Sequence, residues 1–103
     1  MDRDETIRRS VEVLNEAGLH ARPAAVLAQC AQRFRADIAL VLNSVPEDLG
    51  VEIGTSIDAK SVMEVLFLAA PQGTGLEIEA TGPDAVEAVE ALAAVFAERF
   101  GIE

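Results

Sequence analysis

A chain of 103 residues is long enough for one core of ordinary size. Half of it is hydrophobic, but Trp and Tyr are absent and there are four Phe, so that core has to be aliphatic. Eighteen acidic residues against eight basic ones leave a formal net charge of −10, which repels polyanions and argues against nucleic acid or anionic membrane as partners.

The single cysteine, Cys30, excludes an internal disulfide and a cysteine-based zinc site. It falls inside an apolar helical pattern and reads as a buried, inert thiol. The opening MDRDETIRRS is charged throughout and does not read as a signal peptide. Apolar runs are too short to cross a bilayer. The expected compartment is the cytoplasm.

Residues 7–14, IRRSVEVL, end in alternation, with Val11 and Val13 apolar and Ser10 and Glu12 polar. That is the pattern of a half-buried strand. NEAG then supplies turn residues. From Pro23 the period changes. Leu27, Cys30, Ala31 and Phe34 fall at i, i+3, i+4 and i+7. They predict an amphipathic helix that begins between His20 and Arg22 and ends near Phe34. Ile38, Leu40 and Leu42 predict a second strand over 37–43, and SVPEDLG a loop. Val51, Ile53 and Ile57 predict a third strand over 51–58, weakened or bulged at Gly54.

Ser61 is followed three positions later by Glu64, the spacing of a capping box, and predicts a short helix over 61–70. LEIEAT, 76–81, alternates strictly and predicts a fourth strand. GPDAVEAVEALAAVFAERF predicts a long final helix. Pro83 suits its first turn, and Asp84 and Glu87 complement its positive end. Val89, Leu92, Ala93, Phe96 and Phe100 form its buried face. The order is β-α-β-β-α-β-α, and every alternating strand has one apolar face. This predicts an α+β fold with a mostly antiparallel sheet, covered by helices on one side and wet on the other. No repeat or linker divides the chain, so residues 1–103 read as a single domain.

His20 is the only histidine and lies in the stretch GLHARPA. A helix starting there presents unpaired N–H groups and the positive end of its dipole, which together welcome an anion. Pro23 fits because its missing N–H would have been unpaired anyway. Gly18 permits a tight turn just before, and Arg22 adds a positive fork suited to phosphate oxygens. A dianionic group carried on the His20 ring would be met by these donors, the arrangement a transient phosphohistidine needs. Local physics leaves a second reading open, an ordinary surface or capping histidine. No second His or Cys is there to share a metal ion, and neither a P-loop nor a G-x-G-x-x-G stretch occurs.

The stretch NEAGLHARPAAVLAQCAQRFRADIAL resembles the active-site region of the HPr family, the histidine-containing phosphocarriers of the bacterial phosphoenolpyruvate-dependent phosphotransferase system. The resemblance continues through KSVMEVLFLAAPQGTGLEIEATGPDAVEAVEAL. It implies an open-faced β-sandwich, a four-stranded antiparallel sheet with three helices on one face. It also implies that His20 accepts a phosphoryl group on Nδ1 from phosphorylated enzyme I and passes it to a sugar-specific enzyme IIA. Arg22 matches the arginine that steadies the charge. Ser61 matches the serine that a dedicated kinase, with its phosphorylase, modifies in many bacteria. Val62, Met63 and Leu66 match the apolar patch on which partners dock.

Such a protein is a monomeric carrier rather than an enzyme, and needs no cofactor of its own. Met63 suits docking because a thioether adapts to several surfaces, though a core role fits its apolar helix equally. For Ser61, helix capping holds under either reading. A regulatory module of the nitrogen-related branch is the alternative within the family. A small ligand-binding α+β domain with an incidental histidine is the alternative outside it. Three features depart from the family pattern. The 43–60 segment is longer than usual. Gln29, Gln32 and Glu64 stand where basic residues are common. Pro71 occupies an unusual loop position.

Overall fold

A computed structural model describes residues 5–46 and 50–102. Its elements in chain order are β1 (Thr6–Glu12), α1 (Ala21–Gln32), β2 (Asp37–Ser44), β3 (Ser56–Asp58), α2 (Val62–Leu68), β4 (Gly75–Thr81) and α3 (Ala85–Ala97). A single 3₁₀ turn, Arg99–Gly101, follows α3. The strands form one antiparallel sheet in the order β1-β4-β2-β3. β1 and β2 therefore run parallel with a gap between them, and β4, last in the chain, fills that gap.

Strand alternation sets what the two sheet faces carry. Leu76, Ile78 and Ala80 of β4 are fully buried, and β2 sets Leu42, Leu40 and Ile38 opposite them. Ile57 of β3 pairs with Leu40 and extends the same face. On that face pack Leu27 and Ala31 of α1, Val65 and Leu68 of α2, and Leu92 and Phe96 of α3. Each fully buried Leu or Ile in such a core contributes about 1.5–3 kcal/mol over an exposed one. The opposite face is polar. There Arg8 meets Glu79 at 3.3 Å, and the Thr6 and Thr81 hydroxyls lie 2.8 Å apart. The α+β architecture with helices on one face is the one expected.

Some boundaries differ from expectation. The third strand shrinks from 51–58 to three residues. Gly54 has φ +93°, and its N–H donates to the Leu42 carbonyl while Leu42 N–H donates to Thr55. Regular pairing thus starts only after that turn, leaving Ile53 57% exposed. Residues 47–49 of the expected loop, SVPEDLG at 44–50, lie outside the described residues. α2 stops at Leu68 because Ala69 adopts the left-handed conformation, φ 49°. α3 stops at Ala97, short of the expected Phe100, although Phe100 is buried as anticipated. Pro83 lies in the turn before α3, not in its first turn.

Asp84 does something the dipole argument did not foresee. Its carboxylate makes no cap bond to α3 and accepts instead the N–H groups of Arg35 and Ala36, at 2.9 and 2.8 Å. That ties the start of α3 to the turn between α1 and β2. Gly82 makes the approach feasible, since a Cβ there would stand 2.8 Å from Ala36 Cα. The bond from Arg35 N–H, aided by that from Ala36, holds the Asp84 carboxyl below the usual carboxylate range. A depressed native pKa contributes stability above the unfolded value and loses it as pH falls through the native one. Asp84→Ala should therefore lower Tm near neutrality, and the gap from wild type should close on acidification through and below the carboxylate range. Melts followed by circular dichroism across that range check this; a gap independent of pH would contradict it.

Candidate functional site

The residue at the N-cap of α1 is His20, with extended backbone, φ −84° and ψ −165°. Three backbone contacts place it. Gly18 N–H donates to the Asn15 carbonyl at 3.0 Å, closing a turn in which Gly18 takes φ +75°. Leu19 N–H donates to the Ala70 carbonyl at 2.8 Å, while the Leu19 side chain is buried. The His20 carbonyl then accepts Ala24 N–H at 3.0 Å, the first bond of the helix. The ring itself is left exposed and makes no cap bond.

The first turn of α1 is open to an anion. Pro23 has no N–H, and the amides of Ala21 and Arg22 have no intrahelical acceptor. α2 differs, since Ser61 Oγ accepts Glu64 N–H at 3.2 Å at its start. The first turns of α2 and α3 also carry acidic residues, Glu64 and Glu87, whereas that of α1 carries none. In a chain with net charge −10 that local absence of acid is notable. Arg22, exposed in the same turn, adds positive charge.

His20 borders an open hollow of about 310 Å³ whose other walls are Ala17, Leu19, Leu66, Ala69, Ala70 and Pro71. Of the docking residues named from sequence, Leu66 thus shares that hollow with the histidine. Val62 and Leu66 are half-buried, packed against the core, while Met63 is 77% exposed. Phe67, one turn on from Met63 and 66% exposed, joins them although it was not among the residues expected there. A signal was available. VMEVLFL has six apolar residues in seven, yet so short a helix buries only one stripe, here Val65 and Leu68. The surplus has to face outward.

Ser61 stands at the far end of α2 from the hollow. Its hydroxyl caps the helix as expected, but the reciprocal half of the capping box is absent. Glu64 Oε1 accepts Asp58 N–H at 2.8 Å, because Ser61 N–H already donates to the Asp58 carbonyl. Gln32 also serves the scaffold, donating to the Lys60 carbonyl at 2.8 Å, whereas Gln29 is exposed. Cys30 is buried, and desolvation raises its thiol pKa, so it is an inert core residue.

A family model described as "PTS HPr component phosphorylation site" matches residues 7–98. The chain belongs to the HPr family of phosphocarrier proteins. It is 40% identical over 92 residues to the phosphocarrier protein HPr of Treponema pallidum, covering 89% of this chain and 93% of that one. It is 37% identical over 95 residues to the phosphocarrier protein NPr of Escherichia coli, covering 92% and 96%. The crystal structure of an HPr from Thermoanaerobacter tengcongensis superposes with a TM-score of 0.78 at 33% identity, over 94% of this chain and 98% of that one. HPr proteins relay a phosphoryl group from enzyme I to an enzyme IIA of the phosphotransferase system. They are carriers and not catalysts, and this chain is such a carrier.

Gly18 is the residue on which the site geometry turns. A Cβ there would lie 2.5 Å from the Ala70 carbonyl oxygen and 2.9 Å from Pro71 Cα, both backbone atoms, at a φ that L-residues rarely adopt. Gly18→Ala should cost about 2 kcal/mol or more in unfolding free energy and speed hydrogen exchange at Leu19. Urea melts and amide exchange measure both. A loss below about 0.5 kcal/mol would contradict the steric argument.

Proposed function

We propose that His20 is the phosphoryl acceptor. The supporting observation is an exposed imidazole at the uncapped N-terminus of α1, with no acidic residue in that helix's first turn. In the proposed step a ring nitrogen, Nδ1 by resemblance to the family, attacks the phosphorus carried by enzyme I. A nitrogen–phosphorus bond forms as the donor's bond to phosphorus breaks, and the exchange repeats in the same sense onto enzyme IIA. The Ala21 and Arg22 amides and the Arg22 guanidinium stabilise the dianion between the two transfers. Donor and acceptor supply the rest of the chemistry, and in this reading the chain works as a single-domain, monomeric carrier in the cytoplasm.

Val62, Met63 and Leu66 form the docking patch in this reading, extended by Phe67. Ser61 is the regulatory site. A phosphate on its oxygen would suit the helix dipole but would place negative charge beside Met63, weakening an apolar contact. A regulatory role, read by partners instead of spent on sugar transport, is the second reading. The NPr relative supports it, being scarcely less similar than the HPr relative, 37% against 40% identity.

Incubation with phosphoenolpyruvate, Mg²⁺ and enzyme I should yield an acid-labile phosphate on the wild-type chain and none on His20→Ala. Arg22→Gln should slow labelling by about tenfold, the loss of one charge-assisted contact. Undiminished labelling of His20→Ala would end the proposal. With a serine kinase and ATP, acid-stable label should be lost in Ser61→Ala.

A further inference from the structure

Asn15 is 1% exposed and sits in the loop that leads to His20. Its Nδ2 donates to the Arg99 carbonyl at 2.9 Å, joining residues 84 positions apart. The acceptor is a carbonyl, so the amide nitrogen must face it. The bond lands on an unusual piece of backbone. Arg99 and Phe100 have φ 54° and 58°, two consecutive non-glycine residues in the left-handed region. Such a pair persists only where its surroundings hold it. One hold is the Phe100 ring, buried edge-on against Phe96 with centroids 5.0 Å apart. Another is Asn15.

The other end of Asn15 faces the site. Its carbonyl accepts the Gly18 N–H that closes the turn before His20. Its Oδ1 is buried with no partner among the described residues, as is Thr74 Oγ1. The amide nitrogen is thus the half of the Asn15 side chain that ties it to another part of the fold. What it uniquely provides is a donor to the Arg99 carbonyl on the same residue whose carbonyl anchors Gly18.

From this we infer that Asn15 is a positioning residue for phosphoryl transfer, coupling the left-handed turn after α3 to the loop that presents His20. The inference rests on His20 being the acceptor. With Asn15 bound, the loop is held at Arg99 below, at Asn15 itself in the middle and at Ala70 above. Without that bond the turn at 15–18 loses one of its ties, those from Gln72 Nε2 to the Leu14 carbonyl and from Leu19 N–H to the Ala70 carbonyl remaining, and a small shift of the turn carries the imidazole with it. In-line transfer is sensitive to such shifts, because the ring nitrogen must meet a phosphorus held on another protein.

Asn15→Leu tests this. It keeps the side-chain shape, removes the orphaned oxygen and deletes the donor. With phosphorylated enzyme I as donor, kcat should fall about tenfold while KM stays within about twofold. The imidazole ¹⁵N resonances of unphosphorylated His20 should shift. Asn15→Ser, which retains a donor, should recover part of the rate; Asn15→Ala, which also deletes the donor, serves in place of Asn15→Leu if that variant does not fold. Phe100→Ala, which loosens the same turn from its other side, should slow transfer, and the double variant should be no slower than the slower single one. Wild-type kcat and unmoved His20 resonances in folded Asn15→Leu would overturn the inference, as would rate losses that multiply in the double variant. Wild-type protein that takes no label on His20 would instead sink the acceptor assignment, leaving the resonance shift to decide the coupling.

Discussion

The bond from Leu19 N–H to the Ala70 carbonyl fastens the loop after β1 to the loop after α2. Everything at the site hangs from it. Leu19 can enter the core only because Gly18 turns beneath that carbonyl without a Cβ to obstruct it. With Leu19 buried, His20 follows into extended backbone and its ring is left outside, while Ala21 begins the helix. One residue in the core and the next in solvent is a consequence of chain geometry at a helix start. The same contact brings the C-terminal end of α2 alongside, so that an apolar wall stands beside the imidazole.

Charge is distributed in keeping with this. The chain carries ten more acids than bases, and acidic residues occupy the open sheet face at Asp37, Asp58, Glu77 and Glu79 and the exposed side of α3 at Glu87 and Glu90. The first turn of α1 has none. A helix end in water carries roughly half a positive charge, and any carboxylate there would neutralise it. Leaving it bare, with Arg22 alongside, keeps a cationic spot on an anionic protein. Beside it the outward face of α2 offers Met63 and Phe67, apolar groups whose contact with a partner depends little on charge.

Short-range patterns were legible in the residues. Ile38, Leu40 and Leu42, like Leu76, Ile78 and Ala80, alternate because a strand turns its side chains over at every step, and all six are buried as that alternation requires. The stripe of Leu27, Cys30 and Ala31 likewise marked the inward face of α1. The GLHARPA stretch placed the histidine at a helix start for reasons that lie within seven residues. Val51 and Ile53 misled, since their alternation matches a strand but Gly54 turns the chain before pairing begins. Asp84 stands at the start of α3 as expected, but nothing local reveals that its carboxylate also accepts two amides of another turn.

What the sequence by itself determined is therefore the set of elements, the face each one buries and the chemistry available at His20. Those follow from repeat distances of two to four residues and from the geometry of a single helix end. Tertiary structure alone decided that β4 enters between β1 and β2 and that Asn15 reaches Arg99. Such contacts join residues tens of positions apart. Which of them form depends on how all the apolar faces pack at once, and no local period records that.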